Sequence, residues 1–215
     1  MFRTPPPLRF TPSPPSKPVK INILPQQPGL LTYDPHFIPR DEADRLFEEL
    51  LRDTPWQEET LTMYGKPYKV PRLISWHGDR DYTYSHTRHI ANAWTAPLRG
   101  LQQRAEAEAG TKFNSVLLNL YRNGQDSVSW HADDENDLGP APIIASLSLG
   151  AARDFKLRPK QKTNDGTDRK SFSLKLEHGS CLVMGAGLQS TWEHAIPKTN
   201  KPLAPRINLT FRWIG

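Results

Sequence analysis

The segment 206–213 alternates strictly between polar and apolar residues. Such alternation is typical of a β-strand, because successive side chains of a strand point to opposite faces. One of its two faces carries only polar residues, namely Arg206, Asn208, Thr210 and Arg212. The rest of the chain from Lys112 onward also reads as strands, so the sequence predicts a mainly β domain with flanking helices.

The polar face of this strand could either contact water or bind a ligand. Arg206 and Arg212 provide two guanidinium groups, and arginine is suited to bidentate contacts with carboxylates. Together they could address both ends of a short dicarboxylic acid. A second segment, 113–122, also alternates and places Asn119 and Tyr121 on one face. Polar groups from several strands could therefore meet in one cavity.

His131 and Asp133 are separated by one residue within the stretch 130–135. If this stretch is extended, both side chains point to the same side. His194 supplies a second imidazole far downstream. Two imidazoles and a carboxylate can form the facial triad of non-haem Fe(II) oxygenases, which leaves coordination positions open. A polar turn with an unrelated histidine is the alternative, but the polar strand 206–212 favours a metal site.

Taken together, these motifs resemble those of the AlkB family. Its members are iron- and 2-oxoglutarate-dependent dioxygenases that remove alkyl groups from nucleic-acid bases. The resemblance extends from about Leu31 to the C-terminus and is closest to the DNA-repair members. It rests on five motifs in order along the chain: Asn119-Leu-Tyr121-Arg-Asn-Gly, His131-Ala-Asp133-Asp134-Glu135, Pro142-Ile-Ile-Ala-Ser-Leu-Ser-Leu-Gly150, His194, and Arg206-x-Asn208-x-Thr210-Phe-Arg212.

The resemblance implies a double-stranded β-helix, or jelly-roll, core and a role for each polar residue. The expected cofactors are Fe(II), 2-oxoglutarate and O₂, with ascorbate as a supporting reductant. Arg212 would lie near the metal end of the co-substrate or support Asp133. The metal ligands would be His131, Asp133 and His194. The residues around 2-oxoglutarate would be Arg206 at its distal carboxylate, with Asn119, Tyr121, Asn208, Thr210 and Arg212.

Residues 62–85 are the expected nucleotide-recognition region. Met63-Tyr64-Gly65-Lys66 resembles a bulky finger that relatives acting on duplex DNA carry here, and bulky side chains can unstack base steps. An ordinary surface turn is the alternative. Arg72 matches a position that contacts DNA in the relatives.

Tyr84 is the expected stacking platform opposite His131 for a flipped base, because chemistry on a base requires taking it out of the stack. Tyr82 would line the same pocket, although aromatic pairs on a strand can equally be core residues. The sequence departs from the family at His77, where relatives usually have tyrosine. The remaining expected substrate contacts are Trp76 and Thr83.

Asp134 and Glu135 follow the metal ligand directly. Bases such as 1-methyladenine and 3-methylcytosine carry a positive charge, so a nearby carboxylate would favour the lesion over the normal base. The resemblance assigns Asp134 to the exocyclic amine of the base. Both residues could instead cap the turn at 136–139.

The 215-residue chain is expected to form a tail and a single domain. Residues 1–29 hold nine of the 21 prolines and are expected to be extended or disordered. The domain spans 30–215. An amphipathic helix is predicted over 40–52, and a second helix is predicted over about 92–109, ended by Gly110.

The net charge of +5 weakly favours a polyanionic partner. Basic residues concentrate between Arg153 and Lys175, which reads as a long hairpin with the turn signal Asn164-Asp165-Gly166. Its tip could be solvated or could contact phosphates.

A single cysteine, Cys181, excludes an intramolecular disulfide and indicates a reducing compartment. The sequence shows no secretory signal and no apolar run long enough to span a membrane. The protein is therefore expected to be intracellular and monomeric, in the nucleus if eukaryotic and in the cytoplasm if bacterial.

The function that follows is oxidative demethylation of alkylated bases in DNA, with release of formaldehyde. The alternatives are the same chemistry on RNA or on a protein side chain, and a non-catalytic reader of modified bases. Three metal-ligand candidates and two arginines argue against the reader, because a reader needs none of them.

Overall fold

The computed structural model describes residues 20–63, 66–84, 87–160 and 171–215. The strands are β1 (Ile21–Asn22), β2 (Leu31–Asp34), β3 (Gln57–Met63), β4 (Lys66–Gly78), β5 (Tyr82–Tyr84), β6 (Thr87–His89), β7 (Ser115–Tyr121), β8 (Val128–His131), β9 (Ile144–Gly150), β10 (Arg153–Pro159), β11 (Phe172–Leu176), β12 (Ser180–Met184), β13 (Trp192–Ile196) and β14 (Arg206–Arg212). The helices are α1 (Arg40–Asp53), α2 (Ala96–Ala109) and α3 (Leu188–Thr191), with a 3-10 turn at Asn136–Leu138.

The strands form two large antiparallel sheets and a short hairpin. One sheet has the order β1-β2-β12-β9-β14-β7-β4-β3, the other has the order β11-β10-β13-β8, and β5 pairs with β6. Ile144 and Leu182 of the first sheet pack in one apolar cluster with Phe155 and Leu157 of the second. The predicted mainly β architecture with flanking helices is confirmed.

Every residue of β14 is buried, on both faces of the strand. Its apolar face, which includes Leu209, lies in one apolar cluster with Leu50 of α1 and Leu98 of α2. Its polar face lines a cavity together with His131 and His194 of the smaller sheet. The alternative of a water-facing polar strand is therefore wrong, because the second sheet covers that face.

The two predicted helices are present, and the start of the second differs. α2 begins at Ala96 because Thr95 caps it: the Thr95 hydroxyl accepts a hydrogen bond from the Leu98 amide at 3.4 Å. The predicted start at Asn92 is wrong, since the Asn92 side chain donates to the Trp76 carbonyl at 2.9 Å. Gly110 ends the helix with a φ of 67°, in the left-handed region.

The chain joins the larger sheet before residue 30. Ile21–Asn22 is extended and pairs with β2, and Leu24 is buried in a core cluster, so this end of the predicted tail packs with the domain that was predicted to begin at residue 30. Residues 1–19 of that expected tail lie outside the described residues. Within the described parts of the chain, no helix is long and apolar enough to cross a membrane.

The predicted basic hairpin is confirmed for its two strands, β10 and β11, which pair antiparallel. Its turn signal Asn164-Asp165-Gly166 lies outside the described residues. Arg153 does not belong to a basic surface, because it is buried and donates to three backbone oxygens. Arg158 and Lys160 pair with acidic side chains of the same chain. The described part of the hairpin therefore offers fewer free cations than the sequence indicates.

Candidate active site

His131, Asp133 and His194 come together at one end of the smaller sheet. Each offers a ligand atom, and these atoms all lie within 4.8 Å of one another. His131 ends β8 and is the register partner of His194 in β13, so the ladder itself brings the imidazoles side by side. Their ring centroids are 4.2 Å apart. Two imidazoles and a carboxylate on one side suit Fe(II) with open coordination positions.

Hydrogen bonding and burial prepare the two imidazoles for a metal. Nδ1 of His131 donates to the Ser129 carbonyl at 2.8 Å, which leaves Nε2 as the lone-pair nitrogen, 3.9 Å from Oδ1 of Asp133. Burial lowers the pKa of His194 to about 3, so its imidazole is neutral, the form that binds metals. The ring of Phe155 stacks on His194 with centroids 5.2 Å apart.

Asp133 is ionised although it is buried. Burial alone raises the pKa of its carboxyl, but the charge of the adjacent Arg212 guanidinium outweighs this effect, so the pKa lies well below its usual value. Nη2 of Arg212 donates to Oδ1 of Asp133 at 2.9 Å. The arginine at this end of β14 thus contacts the metal-ligand candidate directly.

Arg206, at the other end of β14, is the largest fully buried side chain among the described residues. Its Nη2 donates to Oγ of Ser148 at 2.9 Å, and no described residue accepts a hydrogen bond from Nε or Nη1. Burial lowers the pKa of Arg206 to about 10, which leaves it a cation at neutral pH. A buried cation with two donors lacking acceptors fits a carboxylate, such as the distal one of 2-oxoglutarate.

Tyr121 supports this cation from the neighbouring strand. The guanidinium carbon of Arg206 lies 5.1 Å from the centroid of the Tyr121 ring, and that of Arg153 lies 5.5 Å from it. Tyr121 is also the register partner of Arg206 in the β7–β14 ladder. Both arginines therefore gain a favourable contact with the same ring.

The polar side chains between the two arginines bond mainly to protein groups. Nδ2 of Asn208 donates to Oγ of Ser146 at 2.8 Å, and Oγ1 of Thr210 donates to Oδ1 of Asn208 at 3.1 Å. Oδ1 of Asn119 accepts from Nε of Arg72 at 2.7 Å. These contacts hold the wall of the cavity between the metal site and Arg206.

One cavity contains every residue predicted to bind the metal or 2-oxoglutarate. Of the predicted substrate contacts, Arg72, Trp76 and Glu135 line it as well, whereas Asp134 is not among the lining residues. The metal and co-substrate residues that line it are His131, Asp133, His194, Asn119, Tyr121, Arg206, Asn208, Thr210 and Arg212.

Asp134 and Glu135 differ in their surroundings. Asp134 is exposed, and its Oδ2 forms an ion pair with Nζ of Lys160 at 2.7 Å. Glu135 is half-buried and lines the cavity. Of these two carboxylates, Glu135 therefore belongs to the wall of the cavity and Asp134 does not.

The expected nucleotide-recognition region is described in part. Met63 and Lys66 are register partners at the ends of β3 and β4, so the finger is the tip of a hairpin. Tyr64 and Gly65 lie outside the described residues. The expected contacts Tyr82, Thr83 and Tyr84 form β5.

Several residues in or beside the cavity were assigned no role from the sequence. Ser146, which lines the cavity, and Ser148, which accepts from Arg206, alternate in β9 as the polar residues do in β14, so the same pattern could have identified them. Glu59 and Phe155 also line the cavity, and Oε1 of Gln189 accepts from the Asp133 amide at 3.0 Å, but none of these carries a sequence signal.

His77, the departure from the family pattern, is a buried structural residue. Its Nδ1 lies 2.8 Å from the Ala93 carbonyl and its Nε2 lies 3.1 Å from Oγ of Ser75. Burial lowers its pKa, so the unfolded chain binds a proton below about pH 6.5 that the folded protein does not. Stability should therefore fall as the pH falls through this range.

We expect this histidine to account for about 1 kcal/mol of the stability lost between about pH 7.5 and about pH 5.5. Urea unfolding of the His77→Gln variant should show a correspondingly smaller loss over the same interval. An identical loss in wild type and variant would assign the acid sensitivity to other groups.

Comparisons with known proteins agree with this site. The 2OG-Fe(II) oxygenase superfamily matches residues 30–212. The human alpha-ketoglutarate-dependent dioxygenase alkB homolog 3 is 41% identical over 199 residues, which are 91% of this chain and 70% of the relative. The bovine homolog 3 is 44% identical over 84% of this chain and 64% of its own length. The human DNA oxidative demethylase ALKBH2 is 37% identical over 80% of this chain and 69% of its own length.

Solved structures share the fold. The structure of OsALKBH1 superposes with a TM-score of 0.64 at 16% identity, and the match covers 91% of this chain and all of that one. A 2OG-Fe(II) oxygenase from Burkholderia pseudomallei gives a TM-score of 0.55 at 12% identity over 85% of this chain and 84% of its own. The jelly-roll core is thereby confirmed. The chain belongs to the AlkB family and is a dioxygenase that uses Fe(II), 2-oxoglutarate and O₂.

Proposed function

We propose that the protein demethylates alkylated bases in DNA, with 1-methyladenine and 3-methylcytosine as substrates and formaldehyde as a product. One observation carries the proposal: a single cavity joins the histidine–aspartate cluster to an aromatic wall, Trp76, and a carboxylate, Glu135. The similarity to relatives named as DNA oxidative demethylases supports DNA as the substrate.

The residues of the cavity have different proposed roles according to where they lie. His131, Asp133 and His194 hold Fe(II), and Arg206 binds the distal carboxylate of 2-oxoglutarate. When bound, Fe(II) with 2-oxoglutarate and O₂ supplies the oxidation of the N-methyl carbon. Arg212 keeps Asp133 ionised and oriented. The buried walls exclude water from the reacting groups.

Glu135 gives the proposal a specific electrostatic consequence. A carboxylate at the cavity stabilises a cationic base more than a neutral one. We expect Glu135→Gln to lower kcat/KM on 3-methylcytosine by about tenfold or more. Activity on 3-methylthymine, a neutral base of nearly the same shape, should change by less than about threefold.

Asp134→Asn is the matched control, because Asp134 is exposed and paired with Lys160. We expect it to change neither activity by more than about threefold. A larger loss in Asp134→Asn than in Glu135→Gln would return base recognition to Asp134.

The proposed activity is tested by loading the protein anaerobically with Fe(II) and 2-oxoglutarate and then adding O₂ and an oligonucleotide with one 1-methyladenine. Mass spectrometry follows the base and succinate together. Methyl loss coupled to succinate supports the proposal. The rates on duplex DNA, single-stranded DNA and RNA of the same sequence show which of these substrates is preferred. Succinate without base repair would move the search to a protein side chain.

The alternative of a non-catalytic reader is not supported, because the chain belongs to a family of dioxygenases and keeps the histidine–aspartate cluster. We expect His131→Ala, which removes one of the three metal ligands, to abolish turnover.

The β3–β4 hairpin provides a test of duplex preference. Shortening residues 62–67 to a minimal turn should reduce repair of a duplex by about tenfold or more, because the tip supplies the wedge that unstacks a base pair. Repair of the same lesion in single-stranded DNA, which needs no unstacking from a partner strand, is the internal control. Equal rates on the duplex before and after shortening would refute the finger.

A further inference from the structure

The segment that carries Asp133 is not held by the sheet. β8 ends at His131, and within the described chain residues 132–135 lie in neither a strand nor a helix. The β8–β13 ladder ends at the pair His131 and His194, so it does not extend to Asp133. Asp133 is nevertheless buried, and a buried backbone N–H requires an acceptor. That acceptor must come from outside the ladder.

The acceptor is the side chain of Gln189. Its Oε1 accepts from the Asp133 amide at 3.0 Å, across 56 residues of chain. Its Nε2 lies 3.4 Å from the sulfur of Met184, a weak acceptor. The orientation of the carboxamide follows from the chemistry, because only its oxygen can accept from a backbone N–H. Gln189 is itself fully buried, so this contact is shielded from water.

Gln189 also lies close in sequence to the second histidine. It belongs to α3, and α3 leads directly into β13, which carries His194. One short stretch of chain therefore carries His194 and at the same time anchors the backbone of Asp133. Arg212 of β14 holds the Asp133 carboxylate. The backbone and the side chain of Asp133 are thus fixed by different elements.

We infer that Gln189 is a positioning residue that sets the distance between Asp133 and His194, and thereby the affinity of the site for a divalent cation. The inference rests on the metal site proposed above. Partners that orient metal ligands without touching the metal typically change affinity by about 10- to 100-fold when removed. A side chain that served only the packing of α3 would not affect metal binding in this way.

The test measures Mn(II) binding to the metal-free protein with 2-oxoglutarate present, by electron paramagnetic resonance of free and bound Mn(II). Gln189→Leu removes the acceptor at similar volume and should raise the dissociation constant about tenfold or more. Gln189→Glu keeps an acceptor oxygen and should bind within about threefold of wild type or more tightly. The bound-Mn(II) spectrum should change in Gln189→Leu and not in Gln189→Glu.

Ser190→Ala is the matched control on α3. Among the described residues, the Ser190 hydroxyl donates to the Gly187 carbonyl alone, within the same turn of chain. We expect its Mn(II) dissociation constant to stay within about twofold of wild type. A rise equal to that of Gln189→Leu would overturn the inference, since it would trace the effect to the stability of α3.

Two further measurements separate the possible failures. His131→Ala should abolish Mn(II) binding; if it does and Gln189→Leu binds as wild type, the inference about Gln189 is overturned and the metal site stands. If His131→Ala binds normally, the metal site itself is wrong. Should Gln189→Leu fail to fold, hydrogen exchange in the wild type decides: the Asp133 amide should be protected at least about 100-fold, and rapid exchange overturns the inference.

Discussion

Replacement of Arg206 by methionine should raise the dissociation constant for 2-oxoglutarate by about 100-fold or more. The guanidinium is buried, and two of its nitrogen donors have no acceptor among the described residues. A carboxylate that enters this site gains charge-assisted hydrogen bonds away from water, which are stronger than exposed ones. Anaerobic calorimetry with Mn(II) in the metal site measures the constant without turnover.

In the absence of 2-oxoglutarate, the same variant should be no less stable than the wild type. Within the described residues, Arg206 has no ion-pair partner, so the free protein bears the cost of a buried charge. We expect Arg206→Met to melt at the wild-type temperature or above it when 2-oxoglutarate is absent. It should lack the rise in Tm that 2-oxoglutarate gives the wild type.

Ser148→Ala is the control, because it removes the hydroxyl bonded to Arg206 and keeps the cation. Its affinity for 2-oxoglutarate should fall by less than about tenfold. Wild-type affinity in Arg206→Met would exclude Arg206 from the co-substrate site.

Substitution of Asp133 by alanine should abolish metal binding and also destabilise the metal-free protein by about 3 kcal/mol. The second effect arises because Arg212, itself buried, loses the carboxylate that lies 2.9 Å away. Calorimetric or urea unfolding of metal-free protein measures the stability, and Mn(II) titration measures the binding.

The double variant Asp133→Ala/Arg212→Met distinguishes the two effects. Removal of the second charge should restore most of the lost stability, while metal binding should remain absent. If the double variant is as unstable as the sum of the single variants, the two side chains are not energetically coupled and the ion pair does not explain the loss.

The period-two patterns predicted which residues share a face, and the structure confirms this for the polar residues of β14. That rule works because the alternation of side chains is a local property of an extended backbone. It could not establish that Asn119, Tyr121 and Arg206 lie on neighbouring strands, since strand order depends on packing across the whole chain. The resemblance to a known family supplied that arrangement.

Other features had no local signal. The pairing of His131 with His194 joins positions far apart in sequence, and Gln189 reaches the Asp133 amide from a short helix with no distinctive pattern. The sequence places Arg153 among many surface cations. In the structure it is buried and donates to backbone carbonyls that are distant in sequence. Contacts of this kind depend on long-range geometry, which composition and spacing do not encode.

The order of strands in the larger sheet determines which strands can change in length without disturbing the active site. β14 lies between β9 and β7 and is paired on both sides, whereas β3 forms the edge of the sheet. A change of length in a central strand would shift two ladders at once and move both arginines relative to the histidines. The β3–β4 hairpin at the edge can be lengthened, shortened or recomposed at its tip without that disturbance. Such an arrangement lets new substrates be acquired in evolution while the oxidative chemistry is inherited unchanged.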